Sequence, residues 1–534
     1  MKNLKNNIAF FLIGLSIIIT GQSCKSELEN RYWNPEQTAE ANIPAFLTQV
    51  LNNSRLRSEY WHYRTFILMH HARYTQTAYF GNGNTMYQQN DSYTNDYWRD
   101  FYSPGIMGVY RAMERNLNEL SDSEKASKQI FLNAARVIVY DQASKLVDNF
   151  GDIPFSEAGS LPSTDQISLA KFDNQQELYS TFISGLKELS SFFHNAQTTA
   201  EFTRADILNA GNVLKWEKYA NSVRLRLLMR ISNVDENSAK TEILEILNNP
   251  SQYPLIDGSN MGSYSPGIED VLLQPLTTYT SSLLDALREL PSHYAPDYMV
   301  NTVLKPSNDP RIHVLFDKYG PTVNGQFVQN EDYNALAITV NATDANTEYS
   351  TNGPRRFAVV DSATTWINSK LPGIIMTSAE VNFIKAEAQE RWGSTTEAKT
   401  AYETAIKQSI NFYYHLNNTS SHAIKISKPN DAEINNFVSN SNIAYIGDAT
   451  NKLKLIGTQK WLHFGWLQGE QAWSEYRRTG YPILPAFPVS SLNGFQNPPV
   501  RLIYPSSEVT NNSVNYESVR AKDTRATKIF WDVK

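Results

Sequence analysis

Cysteine is almost absent from this chain: one residue, Cys24, among 534. No intrachain disulfide can form, and cysteine nucleophiles or cysteine-ligated metal centres are excluded everywhere downstream. Charge is sparse as well. Lys, Arg, Asp and Glu make up 19% of the residues and the net charge is −6, which gives no electrostatic basis for binding nucleic acid. Long apolar runs are missing apart from Ile8 to Thr20 (IAFFLIGLSIIIT), whose 13 residues fall short of the roughly 20 that a spanning helix needs.

The strong catalytic signatures are missing too. There is no HExxH zinc helix, no GxSxG nucleophile elbow, no GxxxxGK[ST] phosphate loop and no EF-hand spacing for calcium. His70 and His71 are adjacent, and neighbours on a helix point about 100° apart, so they do not chelate one ion as an i, i+4 pair does; a structural or solvated role is expected. Gly81-Asn82-Gly83 has neither a flanking strand nor a third glycine and reads as a turn. Asp148, Asp152 and Glu157 are the acids from which a surface glycosidase would draw its carboxylate pair, but their spacing in sequence sets no separation in space. No cofactor, no metal site and no enzymatic activity are expected.

What is present begins at the N-terminus. Lys2 and Lys5, the apolar run, the small or polar Gly21, Gln22 and Ser23, and then the thiol of Cys24 follow the order of a bacterial lipoprotein signal peptide. One departure is Gly21, where most such signals carry Leu. The expected organisation is a signal peptide at 1–23, a lipidated Cys24 with a polar tether at 24–40, and a body at 41–534. Acyl chains on Cys24, at about 0.8 kcal/mol per buried methylene, would anchor that body to a membrane.

The body has helical periodicity. Between Ser127 and Phe150, Ile130, Phe131, Ala134, Val137, Ile138, Leu146 and Val147 recur at three- and four-residue steps, predicting one amphipathic stripe that ends at Gly151 and Pro154. Val213, Trp216, Ala220, Val223, Leu227 and Ile231 predict a second helix, with Arg226 and Arg230 four apart on another face. Ala379 to Trp392, Gly393 as a stop, and Ser394-Thr395-Thr396-Glu397 as a capping box predict a helical hairpin. The small residues Ala386, Ala388, Ala398 and Ala405 give that hairpin the close contact of a tetratricopeptide-type unit. Arg477-Arg478-Thr479-Gly480-Tyr481-Pro482 reads as a helix end, with basic residues in the last turn and Gly480 as left-handed cap.

Four stretches read as irregular: Tyr74 to Tyr102, Pro250 to Tyr298, Lys318 to Arg355 and Leu416 to Thr450. Ordered loops on a helical frame commonly carry contacts to ligands. Aromatic residues reach 12% of the chain, and tyrosine or tryptophan in a groove offers a sugar or peptide an apolar face with a polar tip. The loop candidates are Tyr79, Tyr87, Tyr93 and Trp98 in the first stretch and Tyr279, Tyr294 and Tyr298 in the second, with core packing or an interface as the competing role of each.

Six segments in order then resemble the SusD/RagB family of outer-membrane nutrient-binding lipoproteins of Bacteroidetes. These are Asp141 to Ala158 (DQASKLVDNFGDIPFSEA), Trp216 to Ile231 (WEKYANSVRLRLLMRI), Asn308 to Ile312 (NDPRI), Met376 to Trp392, Gln459 to Leu484 and Pro499 to Glu508 (PVRLIYPSSE). The resemblance implies a mainly α fold: a superhelix of tetratricopeptide-type hairpins with long irregular loops and minor β structure. It also implies a lipid-anchored protein on the outer face of the outer membrane. There it would bind oligosaccharides or peptides and pass them unchanged to a SusC-like TonB-dependent β-barrel transporter. A surface glycosidase, or a structural adaptor of the barrel without a ligand of its own, are the alternative readings.

Overall fold

A computed structural model of the chain describes residues 42–78, 86–103, 105–160, 169–259, 264–276, 283–289, 293–337, 356–487 and 489–534. By contacts the chain divides into Met1–Ile43 and a body, Pro44–Lys534. The fold is mainly helical. Its longer helices are α1 (Ile43–Leu51), α2 (Asp91–Tyr102), α3 (Ile106–Glu119), α4 (Asp122–Phe150), α5 (Gln175–Asn195), α6 (Val213–Ile231), α7 (Glu236–Asn248), α8 (Ser378–Trp392), α9 (Thr395–Thr419), α10 (Ala449–Phe464) and α11 (Gly469–Thr479). A π-helix, His62–His71, lies between α1 and α2; the N–H of Ala72 at its end reaches the carbonyl of Ile67, five residues back. Among the described residues no helix is long and apolar enough to cross a membrane.

Local chemistry sets the ends of these helices. Asn212 caps α6 by accepting from the N–H of Lys215 at 3.0 Å, and Ser394 caps α9 by accepting from Thr396 and Glu397. Gly151 (φ 83°) ends α4 and Gly480 (φ 73°) ends α11, both in backbone conformations that a side chain disfavours. Helices adjacent in sequence pack as pairs: α8 on α9 across Gly393 and Ser394, α6 on α5 and on α7, and α10 on α11. These are the tetratricopeptide-type hairpins. Close approach is built in at Gly185 of α5, where a Cβ would lie 2.5 Å from a ring carbon of Tyr140 on α4.

Among the described residues the β structure is four antiparallel two-stranded ladders: β1 (Ile153–Pro154) with β2 (Phe172–Asp173), β3 (Val271–Leu273) with β8 (Gly373–Met376), β4 (Phe316–Asp317) with β7 (Val359–Val360), and β5 (Thr322–Val323) with β6 (Gln326–Phe327). Strands of two to four residues tie loops to the frame.

The sequence period under-describes α4. From Ile130 onward nearly the whole circumference is buried, polar residues included, because other helices cover every side. The buried acids among them are paired with cations. On α6, Arg226 donates from Nε and Nη2 to Glu380 of α8 at 2.6 and 3.0 Å, and from Nη1 to Asp141 of α4 at 2.7 Å. One turn on, Arg230 donates to Gln471 of α11 at 2.7 Å and lies 3.3 Å from Glu475 and 3.8 Å from Asp148. Arg478 of α11 clasps both oxygens of Glu387 on α8 at 2.7 and 2.5 Å, and Lys460 of α10 donates to Glu475 at 2.8 Å. All of these groups are buried. Burial would raise Glu475, yet the charges of Arg478, Lys460 and Arg230 pull it well below the usual carboxylate range.

One further expectation is corrected here and one is extended. Asp91 to Tyr102, placed in an irregular stretch, is helix α2: Asn90 caps it, and Thr94, Tyr97, Trp98 and Phe101 form its buried face at helical spacing. The arginines at the end of α11 do more than complement a helix terminus, because Arg478 is a buried ion partner and Arg477 lies 3.7 Å over the Trp473 ring.

Arg226→Met removes the cation between two buried carboxylates and is expected to cost about 3–5 kcal/mol. Arg520→Met, which breaks the exposed pair with Glu517, is expected to cost less than about 1 kcal/mol. Urea denaturation midpoints compare the two directly.

Acid sensitivity follows from the buried His70, His71 and His463 and the half-buried His62. Burial lowers His62, His70 and His463 from 6.5 to about 3 and His71 to about 4. The unfolded chain therefore binds protons below pH 6.5 that the folded chain refuses, and stability is lost as pH falls from 6.5 towards 3. Glu470 adds to this lower down: burial would raise it, but Lys145 and Arg55 hold it at about 2, so its contribution is lost between its ordinary 4.5 and 2. His463→Gln should lower the slope of stability against pH below 6.5 by about 1.4 kcal/mol per pH unit.

Candidate functional site

The π-helix has an opening at each end. At its C-terminal end the chain continues through Tyr74, and a cleft of 490 Å³ lies between Tyr74, Tyr87, Gln88, Gln89, Phe495 and Arg525. Tyr74 and Tyr87 pack with ring centres 5.5 Å apart, and Phe487 meets Tyr87 edge-on at 5.5 Å. Burial pushes the Tyr87 hydroxyl up, so it stays protonated. Gln89 is locked: its amide exchanges two hydrogen bonds with the backbone of Ile503, at 2.7 and 3.0 Å. Phe495 is 50% exposed, and the Arg525 guanidinium lies 3.7 Å over its ring. The turn that presents it, Asn493 (φ 48°) and Gly494 (φ 84°), needs two left-handed residues in succession, which Asn-Gly supplies.

At the N-terminal end Trp61 is 63% exposed. Tyr60 braces it edge-on at 4.9 Å, and Tyr60 is fixed in turn through its hydroxyl to Glu289 at 2.8 Å, a carboxylate that also accepts from Arg64 Nε at 2.8 Å. Beside Trp61 runs a 330 Å³ cleft lined by His62, Asp96, Tyr97, Arg99 and Asp100 among others. With its pKa near 3, His62 is neutral at pH 7 and can donate to or accept from an uncharged hydroxyl. Both clefts thus join an aromatic face to fixed polar groups, the chemistry that holds a sugar ring or a peptide.

Of the residues singled out from sequence, the structure brings Tyr87 into the larger cleft. Trp98 is core: its indole donates to Glu508 at 3.2 Å and it meets Phe150 edge-on at 5.1 Å. Tyr294 is buried, bridging to Val359 and packed on His293 at 4.0 Å. Tyr93 is half-buried in the first turn of α2, and Tyr298, also half-buried, opens a short π-helix (Tyr298–Leu304) 6.0 Å from Trp461. Cys24, Tyr79 and Tyr279, like Gly81-Asn82-Gly83, lie outside the described residues. Phe495, Arg525 and Trp61 were not singled out. For Phe495 the signal was available: a lone aromatic in a run of turn-formers, Asn-Gly-Phe-Gln-Asn-Pro-Pro.

The acids considered as a glycosidase pair have structural partners. Asp148 accepts from Trp531 at 2.9 Å and from Tyr179, Asp152 accepts from Lys522 at 2.7 Å, and Glu157 pairs with Lys171 at 3.5 Å. His71 is hydrogen-bonded to Asn149 at 2.8 Å and His70 to the Phe66 carbonyl at 3.0 Å, so both serve packing. Among the described residues no group of three or more His, Cys, Asp or Glu is placed to hold a metal ion.

Residues 35–505 match the SusD-like family model described as starch-binding and associating with the outer membrane. Similar solved structures include a chitin-binding protein (TM-score 0.72, 22% identity, 92% of this chain and 100% of that one). A SusD-like protein from Bacteroidetes AC2a gives 0.71 at 23% identity, over 92% and 100% of the two chains. A chitin-binding SusD homologue from Flavobacterium johnsoniae gives 0.69 at 21%, over 92% and 99%. At these identities the likeness is one of fold. No curated protein matches the chain significantly.

The platform and the core aromatic separate by stability. Trp61→Ala is expected to shift the urea midpoint by the equivalent of about 0.5 kcal/mol or less, and Trp98→Ala by about 3–5 kcal/mol. Equal losses would place Trp61 in packed structure.

Proposed function

The chain belongs to the SusD-like family of starch-binding proteins that associate with the outer membrane, and from that membership we propose that it captures nutrient oligosaccharides or peptides at the cell surface. In this reading Cys24 carries the lipid anchor on the outer face of the outer membrane. The body behind it hands its ligand, chemically unchanged, to a SusC-like TonB-dependent β-barrel. The observation that carries the proposal is the 490 Å³ cleft in which the half-exposed ring of Phe495 stands beside a guanidinium and the amide of Gln88, with the buried Tyr74 and Tyr87 in its lining. Stacking on such faces supplies affinity, and the polar groups around them select among hydroxyl or carbonyl patterns. Two of the similar structures are of chitin-binding proteins, which favours an oligosaccharide as the first ligand class to try.

Calorimetric titration of the full-length protein with oligosaccharides and peptides, with chromatography of each sample afterwards, tests the proposal. Saturable binding with the ligand recovered intact is expected. Phe495→Ala should weaken it roughly three- to tenfold without lowering the melting temperature appreciably. Product formation would make the protein an enzyme. Copurification with a barrel and no binding of any ligand would make it an adaptor.

A further inference from the structure

The charge of the Tyr87–Phe495 cleft is one-sided. Two arginines, Arg501 and Arg525, line it, and no Asp or Glu does, in a chain whose net charge is −6. Arg501 is buried. Its Nη1 donates to the Lys522 carbonyl at 3.1 Å, while Nη2 has no hydrogen-bond partner and stands 3.7 Å from Asp523. Arg525 is less provided for still. Among the described residues it has no carboxylate partner: Nη2 makes one long bond, 3.4 Å to the Asn497 carbonyl, and Nε is buried without a partner.

The orientation of Arg525 matters as much as its charge. Its guanidinium is held over the Phe495 ring at 3.7 Å, with Tyr87 5.7 Å away. A guanidinium stacked on an aromatic face keeps its N–H groups in its own plane, directed outward from the ring edge as a planar fork. Ordering the group on an aromatic ring beforehand reduces the entropy lost when a ligand arrives. Covering Phe495 alone would need only an apolar stem, with no cation to desolvate; the cation here is partly desolvated, which lowers its pKa.

We infer that this cleft takes an acidic oligosaccharide, gripping an oxyanion on the sugar, a carboxylate or a sulfate ester, with the Arg525 guanidinium while the half-exposed Phe495 contacts a ring face. The inference rests on the capture role proposed above and names its substrate class. Oxyanion recognition by a guanidinium is bidentate and worth more than a neutral hydrogen bond, so neutralising the ligand should be felt strongly.

The test titrates the full-length protein with oligogalacturonate and with its methyl ester, which keeps the stereochemistry and removes the charge. A sulfated galactan oligomer and its desulfated counterpart form the second pair. The expected result is binding of one acidic form, with its neutral counterpart roughly ten- to a hundredfold weaker. Arg525→Gln is expected to abolish that difference while leaving the weak binding of the neutral form. Because the comparison within each pair needs no variant, it decides the matter even if Arg525→Gln folds poorly. Equal affinity within both pairs, or a preference that survives Arg525→Gln, overturns the inference and leaves capture standing. Binding of peptides with no binding of any sugar overturns the inference and the oligosaccharide reading together.

Discussion

Arg226, lodged between Asp141 and Glu380, sets the register on which the frame depends. It lies on α6 and reaches α4 and α8 at once. The carboxylates it and its neighbours meet recur two turns apart, Asp141 and Asp148 on α4 and Glu380 and Glu387 on α8, so each helix presents a charge at two levels of the interface. Arg230 and Arg478 complete the upper level by drawing in α11. Hydrophobic packing tolerates small slips of one helix along another, whereas a buried carboxylate displaced from its guanidinium is left uncompensated at several kcal/mol. Such pairs add little net stability over a well-packed apolar core; what they add is a single allowed alignment.

A frame held this way lets the loops be specialised without being rigid by themselves. Residues 491–503 cross the frame and are pinned by Leu502 N to the Asn149 carbonyl and by Arg477 Nη1 to the Val500 carbonyl. These bonds fix the C-terminal side of the Phe495 turn to helices α4 and α11. At the other end of the π-helix, Trp61 is held through Tyr60 and Glu289. Both platforms are aromatic rings displayed to solvent by polar bracing, the arrangement expected of a protein that binds a neutral-faced ligand and releases it. Arg525 gives one of them a charge preference.

Much of the frame was legible in the sequence because the apolar residues of its helices recur at helical spacing, even where the fold buries the polar residues between them as well. Val213 to Ile231 and the Ala379 to Trp392 hairpin carry the 3.6-residue period, and family-like segments such as Trp216 to Ile231 lie on those same helices. Helix α2 was harder to see. Its sequence, DSYTNDYWRDFY, is polar and tyrosine-rich, and the period at Thr94, Tyr97, Trp98 and Phe101 is visible only once that polarity is discounted. Arg226 and Arg230 stand out as a pair at helical spacing, but the partners of Arg226 are 85 and 154 residues away in Asp141 and Glu380, that of Arg230 in Gln471 is 241 away, and a single sequence carries no sign of such pairing. The cleft was legible least. Tyr87, Phe495 and Arg525 come from segments some 400 residues apart, and which aromatic residues of a tyrosine-rich chain stay exposed is decided by tertiary packing alone. Trp98 is of the same residue type as Trp61, and the fold buries it; Tyr87 lines the cleft yet is as buried as Tyr294.

Native-state hydrogen exchange of the full-length protein tests this account most directly. If buried ion pairs join α4, α6, α8 and α11 into one unit, their slowest amides should share a single, highest opening free energy, with residues 86–89 and 491–503 exchanging through smaller local openings. Separate opening free energies for those four helices, or cleft segments as protected as the helices, would contradict it.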